Sequence, residues 1–91
     1  MTFVKMKAAL AIVNKCDCLS ITEDDKKLVI HVFDTIMKSL MEKGLVTTEM
    51  SAQYAVLKVS TWNDGYFCAV TRQMCKLLYP VVELCEKIFD N

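Results

Sequence analysis

The most reactive side chains of this sequence belong to its five cysteines and its single histidine. Cys16-x-Cys18 with His31 comes nearest to a metal site, because thiolate and imidazole are ligands that zinc prefers. Zinc sites more often add a second ligand pair, and none follows here. We therefore interpret Cys16 and Cys18 as part of a polar loop and expect no metal site. A disulfide within Cys16-x-Cys18 would be strained, which argues against a redox role as well.

General acid–base chemistry is the next candidate, since His31 and Glu42 lie along the same side of a predicted helix. Thr35 and Lys38 extend this row, and Asp34 is spaced to form an ordinary i,i+4 ion pair with Lys38. Such a row is typical of a solvated helix face opposite an apolar stripe. We expect a protein that is not an enzyme and needs no cofactor.

The sequence excludes a Gly-rich phosphate-binding loop and disfavours a calcium-binding loop. Gly44 and Gly65 are the only glycines of the sequence, so no Gly-rich phosphate loop can form. The run Glu23-Asp24-Asp25 lacks the alternating acidic spacing and central glycine of an EF-hand loop. It suits the start of a helix instead, where carboxylates favour the positive end of the helix dipole.

Charge gives little support for a nucleic-acid surface. Eleven basic residues balance eleven acidic ones, and Arg72 is the only arginine. Nucleic-acid surfaces usually present a one-sign field that is rich in arginine. A helix-turn-helix across 43–62 would carry a single base, Lys58, in its recognition segment. A DNA-binding regulator is therefore only the third hypothesis for function, and a nucleic-acid partner is not expected.

Apolar residues recur at helical spacing along four segments, at about 2–15, 20–43, 47–62 and 66–89. The apolar rows are Phe3, Met6, Leu10 and Val13, widened by Ala9 and Ile12; Val29, Val32, Phe33, Ile36, Met37 and Leu40; Met50, Tyr54, Leu57 and Thr61, with Ala55, Val59 and Trp62 as a second row; and Phe67, Val70, Met74, Leu77, Leu78, Val81, Leu84, Cys85 and Ile88. The predicted fold is all-α, a single 1–91 domain of four antiparallel helices. The last is kinked at Pro80 or divided there into two.

Capping signals support these boundaries. Ser20 with Glu23, or Thr22 with Asp25, can form a capping box, and Gly44 suits the left-handed position that ends many helices. The rival is an α+β fold with a β-hairpin at 54–72, because that stretch is rich in β-branched and aromatic residues around an Asn-Asp-Gly turn at 63–65. The helical apolar row that continues after the turn favours the all-α fold.

The apolar inventory is large for so short a chain. Hydrophobic residues make up 54% of 91 residues, and the share stays above the roughly 45–50% of ordinary proteins when glycines are counted in place of tyrosines. An odd cysteine count with few glycines and prolines is typical of free, buried thiols. The apolar run at 8–13 is too short for a signal peptide, and no run approaches the roughly 18 residues of a membrane span. We expect a soluble, cytoplasmic protein with no membrane partner.

The surplus of apolar surface predicts association. The leading hypothesis is a small non-enzymatic interaction protein, a homo-oligomer that binds and modulates a protein partner as an inhibitor, immunity or adaptor protein. The alternative is a small-ligand binder for a nucleotide-like molecule, with Lys58, Arg72 or Lys76 available to a phosphate. Trp62, Tyr66 and Tyr79, which stand by the turn and the proline, are the predicted interface or ligand residues together with Arg72. Phe67 and Met74 are expected in the core.

Overall fold

The protein is all-α in a computed structural model that describes residues 2–90. Its helices are α1 (Phe3–Val13), α2 (Glu23–Glu42), α3 (Thr48–Val59) and α4 (Asp64–Phe89). The predicted fold class is confirmed. The alternative hairpin at 54–72 is wrong, because this stretch forms the end of α3, a short connection and the first turns of α4. None of these helices, within residues 2–90, is both long and apolar enough to cross a membrane.

Side-chain caps set the helix starts. Of the two predicted capping boxes at α2, the structure forms the second: Asp25 N donates to Thr22 Oγ1 at 3.1 Å, and Thr22 N donates to Asp25 Oδ2 at 2.9 Å. The backbone hydrogen bond from Thr22 also lowers the pKa of Asp25. At α4 the predicted turn at 63–65 needs correction. Asn63 is the N-cap, and the two residues after it already belong to the helix because Asn63 Oδ1 accepts from Tyr66 N.

Gly44 ends α2 as predicted. Its φ of +71° lies in the left-handed region that glycine adopts without steric cost. Gly44 N donates to the Met41 carbonyl at 3.0 Å, and Leu45 N donates to the Leu40 carbonyl at 2.9 Å. This pair of bonds is a Schellman motif, and it satisfies two of the carbonyls that a helix end leaves open.

Pro80 lies inside α4, and the helix continues through it. The prediction of two shorter helices is therefore wrong, whereas a bend at Pro80 stays a prediction. Proline removes the hydrogen bond to the carbonyl four residues back, here that of Lys76. Both residues are exposed, so water can solvate this carbonyl and the interruption is tolerated.

The four helices run antiparallel, and α4 packs against both α1 and α3, with α2 completing the bundle. At one end Val4 N donates to Asp90 Oδ2 at 2.8 Å, and Lys7 Nζ lies 2.8 Å from Glu86 Oε2. The apolar rows of α1 and α2 are buried, apart from Ala9 and Val32, which are half-buried, and Ile12, which is 72% exposed. The largest side chains of the core with no exposed surface are Phe33, Ile36, Leu40, Leu57, Phe67, Met74, Leu78 and Val82.

Two larger parts of the apolar rows also lie outside the core. Leu84 is 54% exposed and Ile88 is 57% exposed, and the second row of α3 also faces outward, at Ala55, Val59 and Trp62. At about 1.5 Å per residue, the 26 residues of α4 span roughly 39 Å and the 12 residues of α3 only roughly 18 Å. Because α3 starts near the middle of α4, the last turns of α4 lack its cover.

Candidate functional site

A buried lysine organises the corner where α3 turns into α4. Lys26, in the first turn of α2, is only 3% exposed. Its Nζ forms an ion pair with Asp64, donates to Glu23 Oε1 at 2.9 Å and donates to the Thr61 carbonyl at 2.8 Å. These bonds, first the one to Asp64 and then the one to Glu23, raise the pKa of Lys26. A buried ammonium with three oxygen partners fixes the connection between α3 and α4 against the start of α2.

Hydrogen bonds within the connection add to this order. Ser60 Oγ donates to the Leu57 carbonyl at 2.8 Å, and Asn63 N donates to the Ser60 carbonyl at 3.2 Å. Ser60 itself is buried. Trp62 sits between these anchored residues, and its side chain is 79% exposed. The fold therefore exposes a large aromatic side chain on a connection that is anchored by hydrogen bonds on both sides of it.

Trp62 has apolar neighbours in the sequence on both sides. Val59 is 71% exposed, Tyr66 is 52% exposed, and the exposed Ala52 and Ala55 share one helical row with Val59 on α3. We call these five residues the corner surface: Ala52, Ala55, Val59, Trp62 and Tyr66. It combines large apolar side chains at the corner with small ones farther along α3. Such a surface can bind another apolar surface.

The four predicted site residues do not form one site. Trp62 and Tyr66 belong to the corner surface, but Tyr79 lies 13 residues after Tyr66 on α4, about 20 Å along the helix at 1.5 Å per residue. Arg72 lies between them in sequence and has a structural contact: its guanidinium donates to the Cys16 carbonyl at 2.8 Å.

Tyr79 lines a second feature, an open groove of about 530 Å³ between α1 and α4. It is lined by the apolar residues Leu10 and Pro80 and by two lysines, Lys15 and Lys76. We call this feature the α1–α4 groove. Sequence spacing could place Lys76 near Tyr79 on α4, but the contribution of Lys15 depends on how α1 packs and carries no sequence signal.

The predicted absence of a metal site rested on the missing ligands around Cys16, Cys18 and His31. Within residues 2–90 the structure places no group of three or more His, Cys, Asp or Glu side chains to hold a metal ion. His31 is exposed on α2, where its carbonyl accepts from Thr35 Oγ1 at 3.0 Å. The neighbour of Cys16 is instead Cys68, with 2.6 Å between the sulfurs. Sequence analysis missed this pair, since 52 residues separate its members.

The three cysteines of α4 are buried, in agreement with the sequence analysis. Cys68, Cys75 and Cys85 are buried, as expected for thiols that act as small hydrophobic side chains. Burial raises the pKa of Cys75 to about 11 and also raises that of Cys85. The Cys75 thiol donates weakly to the Leu10 carbonyl at 3.6 Å and so contributes to the packing of α1 on α4.

Comparison of the chain with models of protein families, with curated proteins and with solved structures gave no match.

Proposed function

We propose that this chain is a non-enzymatic interaction protein that self-associates through the corner surface. The observation that supports this is the exposure of Trp62 on a corner that Lys26 holds in place. Covering apolar surface contributes about 25 cal/mol per Å², and an anchored backbone reduces the entropy that is lost on binding. Aromatic residues are enriched at the centres of protein interfaces. A dimer of this kind suits an inhibitor, immunity or adaptor protein, whose action is binding.

The shape of the corner surface favours a second copy as the occupant. Ala52 and Ala55 are small, whereas Val59 and Trp62, at the other end, are large. In a twofold dimer each patch meets the same patch in reverse order. Two α3 helices packed antiparallel would thus set Trp62 of each copy against the alanine end of the other. The small residues let the backbones approach, and the indole fills the space they leave.

The corner surface is small for a permanent interface. A standard interface covers about 800 Å² and 20–30 residues on each partner, and the whole chain exposes 5521 Å². Five residues at the centre, with a rim of polar neighbours, are typical of a weak dimer. We expect dissociation in the micromolar range, which corresponds to about 8 kcal/mol of binding free energy.

Sedimentation equilibrium over roughly 1 µM to 1 mM tests the dimer directly. The double variant Val59→Ser/Trp62→Ser removes the two side chains of the corner surface that are 71% and 79% exposed, and it should remain monomeric throughout. Both side chains are exposed, so the change in folding free energy should stay within about 0.5 kcal/mol per substitution. Trp62 is the only tryptophan of the chain, so its fluorescence should shift to shorter wavelength as the wild-type protein dimerises.

The matched control is Leu19→Ser. Leu19 is 94% exposed, more than Trp62, but it lies in the loop between α1 and α2, outside the corner surface. Its substitution should leave the association constant unchanged. A wild-type protein that stays monomeric at the highest concentration would refute the proposal. Equal weakening by Leu19→Ser would also refute it, since this would show unspecific apolar contact.

The α1–α4 groove supports a second candidate function, binding of a nucleotide-like ligand. Its volume of about 530 Å³ falls within the roughly 300–1,000 Å³ of small-molecule sites. The Tyr79 ring offers a surface for a base, and Lys15 and Lys76 offer positive charge for a phosphate. Of the three basic residues that the sequence suggests for phosphate binding, only Lys76 lines this groove. Lys58 lies over the Tyr54 ring, at 4.6 Å, and Arg72 bonds the Cys16 carbonyl.

Thermal unfolding with nucleoside monophosphates, and with inorganic phosphate as the reference, tests this candidate. One nucleotide should raise Tm in the wild-type protein, and Lys76→Gln should abolish the shift. Lys58→Gln removes the same charge elsewhere and should keep it. Equal shifts with phosphate alone, or the same loss in both variants, would indicate unspecific charge attraction and reject the groove as a nucleotide site.

A further inference from the structure

Cys16 and Cys68 lie within bonding reach of each other. Their sulfurs are 2.6 Å apart, and an S–S bond is about 2.05 Å long. Cys16 is half-buried in the loop between α1 and α2, whereas Cys68 is buried in the second turn of α4. The two thiols therefore meet where this loop crosses α4, one accessible from solvent and the other on the core side.

The loop is held in this position by polar contacts. Arg72, one turn after Cys68 on α4, donates to the Cys16 carbonyl at 2.8 Å, and Cys16 N donates to the Val13 carbonyl at 3.1 Å. Asp17 Oδ1 accepts from Leu19 N at 2.9 Å. Both the N–H and the carbonyl of Cys16 are therefore hydrogen-bonded. These bonds hold the Cys16 sulfur next to Cys68 in the folded protein.

We propose that Cys16 and Cys68 form a reversible disulfide that clasps the α1–α2 loop to α4, with a small-molecule disulfide such as oxidised glutathione as the oxidant. The more exposed Cys16 thiolate attacks one sulfur of glutathione disulfide. A mixed disulfide forms, and one glutathione thiolate leaves. The Cys68 thiolate then attacks the Cys16 sulfur, and the second glutathione thiolate leaves. Two electrons and two protons pass from the cysteine pair to glutathione disulfide, which becomes two thiols.

The environment of Cys68 makes the closing step slow near neutral pH. Burial, and then the hydrogen bond with Cys16, raise the pKa of Cys68 to about 12, so little of the thiol is ionised. Burial, the larger cause, persists in the mixed disulfide. Because the thiolate is the attacking form, closure should become faster as the pH rises. Reduced glutathione reverses both steps.

Closure would join residues 52 positions apart. A crosslink across so long a segment restricts the unfolded chain strongly, so the oxidised protein should unfold at a temperature higher by on the order of 10 °C. The Tm gain should disappear on reduction. Cys18, two residues from Cys16 and also half-buried, is the natural competitor for Cys68.

Peptide mapping tests the pairing. The folded full-length protein is incubated with oxidised glutathione, free thiols are alkylated, and the chain is cut with trypsin. Cys16 and Cys18 then lie on peptide 16–26, and Cys68 lies on peptide 59–72. The expected product is a covalent pair of these peptides, two hydrogens lighter than their sum. Cys16→Ser should abolish this pair and the Tm gain, and the matched variant Cys18→Ser should retain both.

Two outcomes would overturn the proposal. Oxidation that joins other cysteines and leaves Cys68 free would show that the two sulfurs do not react. A crosslink lost in Cys18→Ser but kept in Cys16→Ser would assign the pair to Cys18. Both substitutions lie in the loop, so folding of each variant can be confirmed by circular dichroism before oxidation.

Discussion

Tyr54 ties α3 to α2 through one hydrogen bond, in which its hydroxyl donates to Asp34 Oδ1 at 3.1 Å. Burial, and then this bond, raise the pKa of Tyr54 to about 12, from an ordinary value of 10.0. The ion pair with Lys38, and then Tyr54, lower the pKa of Asp34. The folded chain therefore holds the phenol proton more tightly than the unfolded chain does. The contribution of the Tyr54–Asp34 hydrogen bond to stability is therefore complete below pH 10 and is lost as the pH rises towards 12.

Tyr54→Phe isolates this contribution, because phenylalanine keeps the ring that lies 4.6 Å from Lys58 Nζ and removes only the hydroxyl. At neutral pH the variant should lose about 1 kcal/mol of unfolding free energy, as for one net hydrogen bond. The difference from wild type should shrink as the pH rises from 10 to 12. Urea unfolding across this pH range measures the difference in unfolding free energy. A difference that stays constant with pH would show that the Tyr54 hydroxyl proton does not stabilise the fold.

Lys26 shows what the sequence does not reveal at this scale. Lys26 and Lys27 are adjacent residues of one type. Lys26 is buried and bonds Asp64, Glu23 and the Thr61 carbonyl, whereas Lys27 is exposed. Only the rotation of α2 against the α3–α4 corner decides between them. The contact of Cys16 with Cys68 is hidden for the same reason. Residue types define candidates for chemistry, and tertiary packing decides which of them meet.

At the level of the helices, sequence analysis predicts more. Amphipathic spacing identifies the buried rows of α1 and α2, and Gly44 marks the end of α2. Periodicity shows which face of a helix is apolar, but it carries no information on whether a neighbour is long enough to cover it. Leu84 belongs to an apolar row of α4 but lies outside the core for this reason, whereas Val59 is exposed because its row faces outward from α3.

The two glycines offer a matched test of the helix boundaries. Gly44 has φ +71° and open space around its Cα, so an added methyl group meets no atom but strains the backbone. Gly44→Ala should destabilise the protein by about 1 kcal/mol. Gly65 is helical, and a Cβ there would make an ordinary contact at 3.6 Å with Asn63 Oδ1. Gly65→Ala should stabilise by about 0.5–1 kcal/mol. Denaturant midpoints of the two variants should shift in opposite directions, and a common sign would show that one boundary is misplaced.

At the scale of the whole molecule, the lengths of the helices determine where apolar surface stays uncovered. A long α4 with shorter α1 and α3 beside it leaves one apolar region near Leu84 and Ile88, and the outer row of α3 leaves the corner surface. The first is flanked by charged residues of α4, including Glu83 and Lys87. The second combines small and large residues in an order that a twofold axis can match. The corner surface is therefore the better candidate for self-association, although both come from the same surplus of apolar residues.

If the chain dimerises through the corner surface, its stability must depend on its own concentration, because the folded state associates and the unfolded state does not. Above the dissociation constant, a hundredfold rise in concentration adds about 2.7 kcal/mol per dimer, or about 1.4 kcal/mol per chain. For a domain of this size, Tm should rise by about 5 °C or more. Calorimetry at several protein concentrations distinguishes dimerisation through the corner surface from other causes. It compares the wild type, the double variant Val59→Ser/Trp62→Ser and the control Leu19→Ser. The rise should appear in wild type and Leu19→Ser and vanish in the double variant; a Tm that is independent of concentration in wild type would show that the folded chain stays monomeric.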